Sequence, residues 1–235
     1  MATDNANNQA ITSIKQYHTF PYTAEPAPGG KHRWYRITIT SGKGGHAPED
    51  LDKGRASAVV LTWGILAGIY NDYDFDLSSI RVGSADDTIA SEAEIIICVP
   101  SGEASEFVKS QLEPFNEWIQ EEYHEADPDV HCMIEKIDKQ ETIIPAETFA
   151  AMMNALEQVP QGKLQPTEED TADSNESEVT TDSHLYNNVG RILADGAKLL
   201  VSTITYCDNP EQMQAQIDDI ALAFAEVGGT SEVQK

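Results

Sequence analysis

Basic residues are scarce in this chain. Fifteen Lys and Arg stand against forty Asp and Glu in 235 residues, a formal net charge of -25. Such an imbalance argues against binding nucleic acid or an anionic membrane by simple electrostatics. It favours solubility and fits surroundings rich in salt. Cysteine is also rare. Cys98, Cys132 and Cys207 are far apart, odd in number and include no CxxC, which excludes a disulfide framework and a zinc knuckle. Each sits in or beside an apolar run, as a buried thiol in a strand does, and the expected compartment is reducing. No apolar run approaches the roughly 20 residues of a membrane span. Met1–Ala10 is polar, without the apolar stretch of a usual signal peptide, so the sequence reads as soluble and cytoplasmic.

Catalytic signatures are missing too. None of His18, His32, His46, His124, His131 and His184 pairs at the i, i+4 spacing of a helical zinc site. There is no GxSxG elbow, and no cysteine has an evident base beside it. Gly42-Lys43-Gly44-Gly45 lacks the Gly-Lys-Ser/Thr ending of a phosphate loop. His124-Glu125-Ala126-Asp127 has metal-ligating residue types but no second histidine nearby, and reads as a solvated helix end.

What is present is a chain long enough to bury a real core. Tyr17 to Lys31 is rich in Pro and Gly and reads as an extended arm or edge strand followed by a turn. In Lys31 to Ser41, Tyr35, Ile37 and Ile39 alternate with Trp34, Arg36, Thr38 and Thr40, which is strand periodicity. Leu51 to Tyr70 carries apolar residues at helical spacing, with Glu49 and Asp50 at its start as the helix dipole favours. Leu77 to Ser84 and Glu92 to Val99 read as strands joined by a turn at Ser84 to Thr88. Ser101 to Tyr123 reads as a helix that Pro114 perturbs. Val130 to Ile137 is a further strand, and Pro145 to Leu156 a helix opened by proline. Val179 to Val189 and Lys198 to Tyr206 read as strands, with a hairpin signal at Ala194-Asp195-Gly196-Ala197 between them. Pro210 to Val227 closes the series as a helix.

These elements predict an α+β fold: a mostly antiparallel sheet with helices on one face, an elaborated ferredoxin-like sandwich. The division is a polar segment at 1–16, a domain over 17–229 interrupted by an acidic loop at 163–182, and a tail at 230–235. The stretch from Thr167 to Asp182 lacks any large apolar side chain, as a solvated loop does.

The most informative run is Lys43-Gly44-Gly45-His46-Ala47-Pro48-Glu49-Asp50-Leu51-Asp52-Lys53-Gly54-Arg55. It sets a histidine after two glycines, between a strand and a helix start, a location that favours anions. An imidazole there can donate to a developing oxyanion but cannot hydrolyse a bond alone. Nothing else in the sequence completes an active site around it.

The chain resembles the lid, or dimerisation, domain of the aminoacyl-histidine dipeptidases, relatives of the carnosinases among the di-zinc metallopeptidases. The resemblance is loose at Thr19 to Pro26 and most specific over Lys43 to Ala58. It continues at Ile80-Arg81-Val82-Gly83-Ser84, Ile89 to Ala93, Val159-Pro160-Gln161-Gly162 and Asn188-Val189-Gly190. It spans roughly Tyr17 to Gly229. The resemblance implies that His46 reaches the active site of a neighbouring subunit and steadies the tetrahedral intermediate there. It also implies a two-fold dimer contact through an edge strand and a helix. Zinc is implied only for a catalytic domain supplied elsewhere; no cofactor and no metal ligand is expected in this chain. The sequence departs from the family pattern twice. Asp86-Asp87 stands where such lids carry an Arg-Asn pair, and Ile204-Thr205-Tyr206-Cys207 where they carry an arginine for the substrate carboxylate. Aspartate there repels a carboxylate.

The primary expectation is therefore a non-catalytic, self-associating lid-like domain, with a homodimer as its assembly. One alternative makes it a component of a metallo-dipeptidase, with His46 completing the site of a separate catalytic domain. Another makes the acidic loop a binding module for a basic partner or cations.

Overall fold

The computed structural model describes residues 11–40, 42–164 and 184–234. Nine strands form one sheet, in the order β13-β1-β12-β11-β5-β7-β3-β8, with β10 beside β11. The strands are β1 (Thr12–Pro21), β3 (His32–Thr40), β5 (Asp76–Val82), β7 (Ala93–Pro100), β8 (His131–Ile137), β10 (Gly162–Lys163), β11 (Tyr186–Ala194), β12 (Lys198–Cys207) and β13 (Thr230–Gln234). Every pairing in it is antiparallel. Two short ladders lie apart from it: β2 (Glu25–Pro26) with β9 (Thr142–Ile143), and β4 (Gly45–His46) with β6 (Thr88–Ile89).

Among the described residues, five helices cover one face: α1 (Ala58–Tyr70), α2 (Glu103–Ser110), α3 (Leu112–Tyr123), α4 (Ala146–Gln158) and α5 (Pro210–Glu226). Their inward side chains, among them Leu61, Ile65, Val108, Ile119, Met152 and Phe224, join Ile37, Ile39, Ile80, Val82, Ile95, Ile97 and Val201 in a single core. Burying one such side chain contributes about 1.5–3 kcal/mol. The α+β reading with helices on one face therefore holds, and the three cysteines are buried and unpaired as expected.

The local chemistry explains most boundaries. Pro114 cannot donate to the carbonyl of Ser110, and the helical run breaks at Gln111, between α2 and α3. Asn209 caps α5, its side-chain oxygen accepting from the N–H of Glu211 at 2.9 Å and of Gln212 at 3.3 Å, with Pro210 following. Gly196, at φ 89°, turns the β11–β12 hairpin, where the Asp195 N–H donates to the Lys198 carbonyl at 3.1 Å.

Several expectations are corrected. The helix expected from Leu51 begins at Ala58; Leu51–Lys53 is a separate 3₁₀ turn ended by Gly54 at φ 66°. The arm expected over Tyr17 to Lys31 is in part an interior strand, because β1 lies between β13 and β12. Residues 12–16, placed in the polar terminal segment, belong to β1, and residues 230–234 of the expected tail form β13. The strand expected over Val179 to Val189 starts at Tyr186 and runs on to Ala194. Most of the acidic loop, residues 165–182, lies outside the described residues.

Candidate functional site

The face of the sheet opposite the helices is covered, over β1, β12 and β11, by two segments: the His46 run and the turn around Asp86. His46 pairs with Thr88 and Gly45 with Ile89. Gly44 and Gly45 have φ of 60° and 143°. A Cβ on Gly45 would overlap the Asp50 carboxylate and the Arg55 guanidinium. Glycine is thus required there on two counts, conformation and space.

Asp50 is the hub of the loop. Its Oδ2 accepts from the backbone N–H of His46 at 2.9 Å, and its Oδ1 from Lys53 Nζ at 2.6 Å. Arg55 Nη2 lies 3.1 Å from the same Oδ1, while Arg55 Nη1 donates to the Gly44 carbonyl at 2.6 Å. The hydrogen bond from Lys53 above all, with the His46 N–H and the Arg55 charge, holds the Asp50 carboxyl below its ordinary range against some desolvation. A second carboxylate ties down both ends of the loop. Buried Asp127 accepts from the N–H of Lys43 at 2.9 Å and of Ala56 at 3.1 Å. This is the acid of the sequence's metal-like His124-Glu125-Ala126-Asp127 run, and it is spent on backbone amides. From beneath, Asn188 Nδ2 donates to the Thr88 carbonyl at 2.9 Å, fixing the strand that pairs with His46.

The result is a rigid backbone carrying an exposed histidine. No side chain among the described residues hydrogen-bonds the His46 imidazole. Behind it Ala47 and Leu51 pack against Tyr186, Ile204 and Tyr206. Tyr186 donates to Asp52 at 3.1 Å, and Lys163 lies over its ring.

The two positions that depart from the resemblance behave differently. Asp86 is mostly enclosed and ion-paired, with Arg191 at 3.0 Å and Lys15 at 3.4 Å, and accepts from Tyr17 at 2.7 Å. Burial alone would raise its carboxyl, but hydrogen bonds from Tyr17 and Ser202 and the charges of Arg191 and Lys15 outweigh it and hold the group low. Its charge is therefore committed within the fold. Asp87 is exposed and makes no ion pair among the described residues; its carbonyl accepts from the Ala47 N–H at 3.4 Å. Thr205 points to the helix side, donating to Asn187 at 3.0 Å. Tyr206 faces the His46 loop. Burial first, then the charges of Asp87 and Glu49, push its hydroxyl up to about 12.

The remaining candidates are dispersed. His124 ends α3 in solvent, and His131 Nδ1 lies 2.9 Å from the Asp129 carbonyl. Burial pushes the Cys98 and Cys132 thiols up to about 12, which leaves them unreactive at neutral pH. Among the described residues no group of three or more His, Cys, Asp or Glu is placed to hold a metal ion, so these residues do not fit a zinc centre. No described helix is long and apolar enough to cross a membrane.

This is the fold of one part of a dipeptidase chain. Among solved structures with this fold is the aminoacylhistidine dipeptidase of Vibrio alginolyticus, which the chain matches with a TM-score of 0.79 at 21% identity. The match covers 95% of this chain but 44% of that one, so the chain spans less than half the dipeptidase's length. An amidase of the hydantoinase/carbamoylase family from Burkholderia vietnamiensis overlaps in part, with a TM-score of 0.35, 14% identity, and 63% and 34% of the two chains covered. A dinuclear metal-binding peptidase from Bacillus subtilis does so with a TM-score of 0.30, 12% identity, and coverage of 63% and 36%. No protein-family model matches the sequence, and no curated protein matches it.

Proposed function

We propose that this chain acts as a lid-like, self-associating domain of dipeptidase type and carries out no hydrolysis by itself. The observation that carries the reading is the match itself: nearly all of this chain superposes on less than half of a dipeptidase. Among the described residues, β8 and β13 end the sheet path and each pairs on one side only. Met133 of β8 and Trp118 of α3 each remain 40% exposed, which supports an edge-and-helix contact between two copies. Light scattering on the full chain, at concentrations up to the millimolar range, tests it. Twice the chain mass is the expected result, and a strict monomer throughout overturns self-association.

A second reading is favoured by the exposed, unpartnered imidazole on a fixed backbone. In it His46 donates to an oxyanion in an active site built by another domain. Supplying the chain to a dipeptidase catalytic domain and following Xaa-His hydrolysis tests this. His46→Ala is expected to lower turnover by about 100-fold, the scale of a lost oxyanion donor; undiminished turnover sinks the role.

A further inference from the structure

A cleft of about 350 Å³ opens between α1 and α4, over the start of β5. Buried core residues, among them Leu66, Phe75 and Phe149, form part of its lining. Trp63 and Tyr70 of α1 and Met153 of α4 line it as well, and Tyr70 stays 57% exposed. The rings fix one another: Tyr70 lies 6.0 Å from Phe75 and Phe75 5.5 Å from Phe149, centroid to centroid. Trp63 stacks on no ring among the described residues. Its indole N–H and the side-chain amides of Asn71 and Asn154, which also line the cleft, hydrogen-bond nothing there. Clefts that take small molecules have this size and this make-up, mostly apolar and aromatic with a few polar groups.

The chain holds nothing to fill the cleft. Outside the described residues its sequence contains no aromatic residue, leucine or isoleucine, so an apolar occupant comes from elsewhere. Charge narrows the class. No Lys or Arg lines the cleft, whereas Asp76 and Glu157 do, and the whole chain carries -25. An anion therefore finds repulsion and no partner. A cation gains little: the Asp76 carboxylate is turned to the Cys98 thiol, 3.6 Å away, and Glu157 is exposed, where an ion pair contributes little. We propose that the cleft binds a small uncharged aromatic molecule, its rings against Trp63, Phe75 and Phe149 and one polar group toward the Asn71 and Asn154 amides.

The cleft lies among the helices, across the sheet from the His46 loop, so the proposal stands or falls apart from the lid reading. Isotope-labelled full-length chain is titrated with indole and, separately, with indole-3-acetate, and amide shifts are followed by NMR. Saturable shifts confined to residues 63–77 and 144–157 are expected with indole, and binding at least about tenfold weaker with the acetate. Ala150→Phe fills the cleft from α4, and Trp63→Ala removes one wall. Each is expected to weaken indole binding about tenfold or more, the scale of a lost aromatic contact. Unchanged shifts in β1 and β12 report that the fold is kept. Unsaturable or scattered shifts, equal affinity for the acetate, or unchanged affinity in both variants overturns the site. If Ala150→Phe instead halves the particle mass in light scattering and indole binds nowhere, the cleft belongs to a second copy and the proposal fails.

Discussion

Arg191 Nη2 stands 3.0 Å from Asp86 Oδ1, reaching from β11 across to the turn that leads into β6. The pair is largely enclosed and shares its carboxylate with Lys15 and Tyr17. It anchors the turn carrying Asp87 and Thr88, and so one side of the His46 ladder. Asp86→Ala is expected to cost about 2 kcal/mol at neutral pH, because the arginine keeps its partial burial and loses its partner. A urea titration measures this. The carboxyl is held below its unfolded value, so its contribution is present above about pH 4 and fades as pH falls further.

His18 should set a different pH dependence. It is fully buried on β1, with Nδ1 2.8 Å from the Ser231 hydroxyl, Nε2 3.0 Å from the Thr203 hydroxyl, and its ring stacked on Phe224 at 3.8 Å. Burial pushes its pKa down to about 4. The unfolded chain then binds more protons than the folded one between that value and the ordinary 6.5, so stability rises with pH across this window. The loss on acidification reaches about 3 kcal/mol. His18→Gln should flatten unfolding midpoints measured between pH 4.5 and 7; an unchanged slope would contradict the assignment.

Asp127 gives a graded test of the His46 loop. Asp127→Ala strands the N–H groups of Lys43 and Ala56 and is expected to cost about 3 kcal/mol. Asp127→Asn keeps one acceptor and should cost less than half as much. Hydrogen exchange at Lys43 and Ala56 reads the effect amide by amide, with one of the two remaining protected in the Asn variant.

Gly190 admits no side chain. A Cβ there would collide with the Asp86 carbonyl, and one on Gly83, at φ 68°, would collide with the Gly190 carbonyl. Gly190→Ala should destabilise by about 3 kcal/mol or more, at the β-bulge between Val189 and Arg191. Thermal unfolding checks this, with exposed Gly29→Ala as the comparison, where nothing lies within 4 Å and the backbone has no positive φ.

The strands with apolar alternation were legible in the sequence: Tyr35, Ile37 and Ile39 in β3, and the Ile95 to Val99 run in β7. β1 was not, because its helix-facing positions hold Gln16 and His18, polar residues buried by specific partners; Gln16, for one, donates to the Ile217 carbonyl at 2.9 Å. β13 was missed because an edge strand of Thr, Ser, Glu, Val and Gln buries little and shows no period. The two-residue ladder of β4 and β6 is too short for any periodicity. At the site, the glycine-flanked His46 stood out from its local spacing. Asp127 and Asn188 did not, since each acts on backbone far away in the sequence, and only the fold brings them under the loop. The two aspartates at 86 and 87 look equivalent in the sequence; one turns inward to Arg191 and the other faces water.

The pairing of β1 with β13 sets Lys15 opposite Gln234 and Tyr17 opposite Glu232. Entry and exit of the described unit therefore share one seam. A unit of this kind can be threaded through a single surface turn of a host protein, the two junctions lying side by side, without stretching either partner. It can also be opened at the Gly196 hairpin and rejoined across the seam by a short linker, with the sheet order unchanged.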